Sequence, residues 1–106
     1  MVFIETSAFS RYIQKLLTDD QYSEFQHYLI RYPDAGAIIQ GGGGLRKIRW
    51  TVSGRGKRGG VRIIYYWVMK REQMLMLLIY PKSERDNLTP AQLNALRRVI
   101  EEYPDP

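Results

Sequence analysis

The apolar positions of this chain fall into three blocks with different spacing. After a short run at Val2–Glu5 that reads as a strand, Phe9, Tyr12, Ile13, Leu16 and Leu17 recur three and four residues apart, as in a helix with one buried face. Thr6 stands at the N-cap position. A second helix opens at Thr18-Asp19-Asp20-Gln21, a capping-box pattern with acids near the positive end of the helix dipole. Its stripe is Tyr22, Phe25, Leu29 and Tyr32, and Pro33 ends it. So short a break predicts that the two helices form an antiparallel hairpin.

The middle block has period two. In Leu45–Val52, Ile48, Trp50 and Val52 take one face of a strand, and Lys47, Arg49 and Thr51 the other. Val61–Met69 is almost wholly apolar and β-branched or aromatic, the pattern of a central strand covered on both faces. Met74–Tyr80 reads as a third strand. The turn-length Lys70–Gln73 predicts antiparallel pairing of the last two, and the longer Ser53–Gly60 joins the first two. Helical spacing then returns behind a capping box at Thr89, Pro90 and Gln92. Leu88 and Leu93 form a hydrophobic staple, and Leu93, Leu96, Ile100 and Tyr103 supply the buried stripe. The order β-α-α-β-β-β-α predicts an α+β fold with helices packed on a small antiparallel sheet. The length of 106 residues is that of one domain, 1–106.

Charge adds a direction to this picture. The net charge is +5, and no Asp or Glu occurs between Ala35 and Arg71, where nine cations fall. The acids lie towards the two ends of the chain, so one electropositive face aimed at a polyanion is expected. A merely solvated basic surface is the plainer alternative. The chain has no cysteine, which removes disulfides and thiolate metal sites and fits a reducing compartment. No apolar run reaches the roughly 18 residues of a membrane span, and the chain reads as cytoplasmic with no membrane association.

Several chemistries lack their residues. His27 is the only histidine and lies off the apolar stripe of the second helix, so a paired-imidazole nuclease and a His-rich metal site are unavailable within one chain. The stretch "GGGGLRK" lacks the spacing of a phosphate-binding P-loop. The pairs Asp19/Asp20 and Glu101/Glu102 are accounted for by helix ends and solvated faces. Neither a metal nor another cofactor is implied.

The cations are more informative. The segment "GRGKRGGVRIIYYW" places Arg55, Lys57 and Arg58 in a Gly-rich loop whose backbone N–H groups could approach phosphate closely, and Arg62 just inside the central strand. Arg62 alternates with Ile64 and Tyr66, which are expected to face a covering layer. A cation there is costly unless it sits at the open end of the sheet, binds an anion, or pairs with a buried acid. Lys47 and Arg49 share one strand face, and Tyr80 and Lys82 end the third strand beside the same expected site. An aromatic and a cation suit stacking on a base and holding a phosphate. A free cationic loop without catalysis would instead give salt-sensitive RNA binding, log K falling by roughly 0.7 per single-strand phosphate neutralised.

At "GGLRKIRW", "GKRGGVRIIYYW", "LLIYPKSERDNLT" and the closing helix, the chain resembles the RelE/HigB superfamily of bacterial toxin–antitoxin toxins, in particular the HigB-like branch. The resemblance implies a RelE-like fold and a ribosome-dependent mRNA interferase, an endoribonuclease that cuts the codon in the ribosomal A site and inhibits translation. It implies a cognate HigA-like helix-turn-helix antitoxin, with DNA engaged only through that partner. Carried over, Arg62 matches the strand arginine at the scissile phosphate. Lys47 and Arg49, next to Arg46, match the basic pair of the preceding strand; Lys57 and Arg58 match the loop cations, and Tyr80 and Lys82 the Tyr-x-Lys at the strand end. Ser83 stands where the RelE branch has a further Arg, and the region of Leu88 and Thr89 lacks that branch's Tyr.

RNA brings its own nucleophile in the 2′-OH, so such an enzyme aligns it, takes its proton and stabilises charge on phosphorus. Crowded cations can lower a lysine pKa towards roughly 7–8, which makes a lysine a workable base. Lys47, Lys57 and Lys82 are the candidate bases, Arg62 the phosphate fork and Tyr80 the orienting aromatic, with Arg46, Arg49, Arg55 and Arg58 binding RNA and no metal required. The other readings are a non-catalytic ribosome-binding inhibitor and a ParE-like toxin directed at gyrase, which shares the fold.

Overall fold

Three threonines start three helices. In the computed structural model, which describes residues 1–51, 60–84 and 87–102, the Thr6, Thr18 and Thr89 hydroxyls each accept an N–H from the residue three places on, at 3.1 Å. These caps open α1 (Ser7–Leu16), α2 (Asp19–Arg31) and α3 (Pro90–Glu101). In α2 and α3 the box is closed by Gln21 and Gln92, whose side-chain oxygens accept the cap residue's own N–H. Thr6 also donates to the Leu77 carbonyl at 2.8 Å, which ties the start of α1 to the sheet.

The strands are β1 (Val2–Glu5), β2 (Ala37–Ile38), β3 (Arg46–Trp50), β4 (Val61–Val68) and β5 (Gln73–Pro81), in the sheet order β1-β5-β4-β3-β2. The α+β class holds, with two additions to the expected order. The sheet is mixed rather than purely antiparallel, because β1 runs parallel to β5 while the other neighbours are antiparallel. Pairing partners of a four-residue end strand leave no trace in hydrophobic period. The second addition is β2, two exposed residues too short to carry an alternation. A single 3-10 turn at Met69–Arg71 joins β4 to β5, and Glu72 closes it at φ 50°.

Each face of the sheet carries a core. On one side Phe9 and Ile13 of α1, its C-cap Leu17, and Phe25 and Leu29 of α2 pack on Ile48, Ile63, Tyr65, Met76 and Ile79. On the other, Ile100 of α3 and the partly buried Leu88, Leu93, Leu96 and Val99 cover Leu45, Ile64, Leu75 and Leu77. The β4 pattern follows: Ile63 and Tyr65 face α1 and α2, while Ile64 and Tyr66 face α3. The Gly41–Gly44 run also has a reason, since Gly41, Gly43 and Gly44 take φ of 74°, 68° and 113° in the turn before β3. Tyr103 lies outside the described residues.

Candidate active site

Strand register builds the site. Across β3, β4 and β5, Arg49 stands opposite Arg62, and Arg62 opposite Tyr80. One pleat step along, Lys47 stands opposite Ile64, and Ile64 opposite Leu78. Residues directly opposite in an antiparallel ladder share a face, with Cα atoms about 4.5–5.5 Å apart. Two cations and a tyrosine therefore lie abreast on the α3 face, with Lys47 two residues from Arg49. The sequence joins these groups only through the topology, because Arg49 and Tyr80 come from strands on either side of β4.

Their surroundings differ. Arg49 is exposed and Lys47 half-buried. Arg62 is 1% exposed and Tyr80 3%. The Arg62 guanidinium lies 3.5 Å from the Val61 carbonyl, at the outer limit of a hydrogen bond. Tyr80 also lines a groove of 320 Å³ with Lys15 of α1 and Glu84. Lys47 Nζ donates to Asn87 Oδ1 at 2.9 Å, two residues before the α3 cap. Asn87 is a residue that sequence reading passes over; its signal is its place between the β5 end and the Thr89 cap, where a polar side chain can reach the middle of the sheet.

Gly60 holds the end of β4 against its neighbours. It takes φ +69°, and a Cβ there would run into the carbonyl oxygen of Trp50. Its own carbonyl accepts the N–H of Lys82 at 3.3 Å, which fixes the turn after β5 beside the row. The glycine before the central strand thus serves a close backbone approach next to Arg62. The Lys82 side chain is exposed in that turn.

Arg46 goes elsewhere. It pairs with Tyr65 rather than with the Arg62 row, and so lies on the opposite face of the sheet. Its Nη1 donates to the Asp34 and Gly36 carbonyls at 3.1 and 2.8 Å. Period two sends Arg46 to the side of Ile48 and Trp50, away from the Arg62 row. Arg55, Lys57 and Arg58 lie outside the described residues. His27 is exposed on α2, its Nδ1 2.8 Å from the Ser23 carbonyl. Burial raises the Tyr65 phenol above its ordinary pKa, against the opposing effect of the Gly36 N–H it accepts and the positive charge of Arg46.

A family model described as the RelE toxin of the RelE / RelB toxin–antitoxin system covers residues 1–105.

Proposed function

The chain belongs to the RelE toxin family and is a toxin of a toxin–antitoxin system, and on that premise we propose that it is a ribosome-dependent mRNA interferase of the HigB-like kind. The observation that carries this reading is the row of Arg49, Arg62 and Tyr80 across three adjacent strands, with Lys47 one pleat step away. The message lies over this row in the ribosomal A site. Arg62 holds the scissile phosphate through its planar fork, and Arg49 takes a neighbouring one. Because Arg62 is buried in the free protein, substrate entry has to uncover it, which makes that opening a step of its own.

The reaction needs little from the protein beyond placement and charge. A lysine amine takes the proton of the 2′-OH. The freed oxygen attacks the adjacent phosphorus, and the bond from phosphorus to the 5′ oxygen breaks, that oxygen gaining a proton as it leaves. Lys47 is favoured as base among the described residues because Asn87 fixes its amine beside the row. Lys82 and Lys57 remain the alternatives. Arginine stabilises the charge that gathers on the phosphoryl oxygens. Tyr80 orients the substrate. The toxin acts in the cytoplasm, and a HigA-like helix-turn-helix antitoxin neutralises it, with DNA engaged through that partner.

Primer extension on a reporter message after induction tests the reading. New 5′ ends within codons are expected, and they disappear when ribosomes are kept off the message. Arrested translation without new ends would make the protein a non-catalytic inhibitor. Broken DNA with intact message would make it a gyrase poison.

A further inference from the structure

The sheet's edge strands are short, and β3 outruns its partner. β2 pairs only with Arg46 and Lys47. The Ile39 N–H donates to the Leu45 carbonyl at 2.9 Å, so alternation along the ladder turns the backbone groups of Leu45, Lys47 and Arg49 towards the β2 side. At Arg49 there is no longer a β2 residue to meet them. The chain has left by then, with Ala35 N–H turned back to the Tyr32 carbonyl at 3.1 Å.

A groove of 430 Å³ occupies this free edge, within the ~300–1,000 Å³ of small-molecule clefts. It is lined by Tyr28 of α2, by Ala35 and Ala37, and by Lys47, Ile48, Arg49 and Trp50 of β3. The aromatic lining continues outwards. Tyr28 lies 5.2 Å from Trp50 and 5.2 Å from Tyr32, and the Arg31 guanidinium sits 5.8 Å from the Tyr32 ring. Tyr28 and Tyr32 are 38% and 47% exposed although they lie on the apolar stripe of α2. Core packing absorbs Phe25 and Leu29 and leaves these two rings outside. Asp34, which precedes Ala35, gives its backbone carbonyl to Arg46.

We propose that this groove is a nucleotide-binding subsite, in which a base of single-stranded RNA stacks on Tyr28 while Arg49 holds the phosphate that leads on to Arg62. The inference rests on the RNA-cleaving reading above and extends it from the scissile phosphate to a flanking nucleotide. Arg49 belongs to both places, since its strand position faces Arg62 and the residue also lines the groove at the open edge of the sheet. Flat aromatic faces beside cations are what a base and its phosphate recognise together. A peptide strand would use the free backbone edge of Arg49 but has no need of the aromatic ladder.

The test uses the tryptophan in the lining. In a Trp67→Phe protein, Trp50 reports alone, and a short 2′-O-methyl oligoribonucleotide, which binds without being cut, is titrated in. Saturable quenching is expected. Tyr28→Ala and Tyr28→Leu both weaken binding about 5- to 150-fold, the equivalent of one stacked base, while Tyr28→Phe stays within about 2-fold of the parent. The leucine variant keeps the apolar contact with Trp50, and equal melting temperatures show that the loss is not one of folding. Binding that leaves Trp50 emission unchanged, Tyr28→Leu binding as well as the parent, or no saturable binding would each overturn the subsite. A Trp50 response to an acidic peptide but not to RNA would make the edge a protein-docking strand instead. Message cleavage by the unaltered toxin, followed separately by primer extension, shows whether the proposed function survives such a failure.

Discussion

Arg46 and Arg49 stand three residues apart on one strand and meet opposite fates. Arg46 turns to the face under α1 and α2, where the Asp34 and Gly36 carbonyls take its Nη1. Arg49 turns to the α3 face, beside Arg62 and Tyr80, and stays exposed. The same contrast separates the two sides of the sheet. The α1 and α2 side satisfies its polar groups internally, as Tyr65 shows by accepting the Gly36 N–H at 2.8 Å and donating to the Pro33 carbonyl at 2.9 Å. The α3 side sets two cations and a tyrosine abreast across three strands. A cation's role follows from what the pleat turns it towards, and one step of register decides it.

The largest expected break in this comparison is at Arg62. Arg62→Ala is expected to lower single-turnover message cleavage about 10²- to 10³-fold, the usual cost of losing one group that stabilises transition-state charge. Arg62→Lys keeps the charge but not the fork, and is also expected to be poor. Circular dichroism and antitoxin capture check that the fold persists. Near-normal cleavage by Arg62→Lys would remove the bidentate contact.

Next comes the pair that defines the contrast. Arg49→Ala is expected to weaken cleavage about 10- to 150-fold with little change in melting temperature, as for one charge-assisted contact to phosphate. Arg46→Ala is expected to do the reverse, lowering stability by about 1–3 kcal/mol in urea titration while the cleavage rate per folded molecule holds. Exchanged phenotypes would show that the two faces have been assigned the wrong way round.

Two smaller effects sharpen the closed side and the α3 cover. Tyr65→Phe removes the hydroxyl between Gly36 and Pro33 and is expected to cost about 1–3 kcal/mol of stability without a change in cleavage. Thr89→Ala removes the α3 cap and is expected to cost about 1 kcal/mol, read as a lower urea midpoint. A cleavage loss in Tyr65→Phe beyond the unfolded fraction would tie the closed face to the chemistry.

Much of this was legible in the residues. The caps at Thr6, Thr18 and Thr89 and the alternation of Lys47 and Arg49 against Ile48 and Trp50 act within a few positions, and period reads them directly. The parallel pairing of β1 with β5, the two-residue β2 and the Lys47–Asn87 bond join residues far apart in the chain, and local pattern carries no record of them. Arg46 shows the same limit at short range. Charge groups it with Lys47 and Arg49, whereas period two assigns it to the other face.

The claim that one site spans the strands is tested most directly by a double-mutant cycle between Arg49 and Arg62 in single-turnover cleavage, with Arg46 and Arg62 as the control pair. Groups that grip the same stretch of message are expected to couple by about 0.5–3 kcal/mol in rate, while the control pair adds within about 0.5 kcal/mol. Additive losses at Arg49 and Arg62, or equal coupling with Arg46, would contradict a shared RNA-cleaving face.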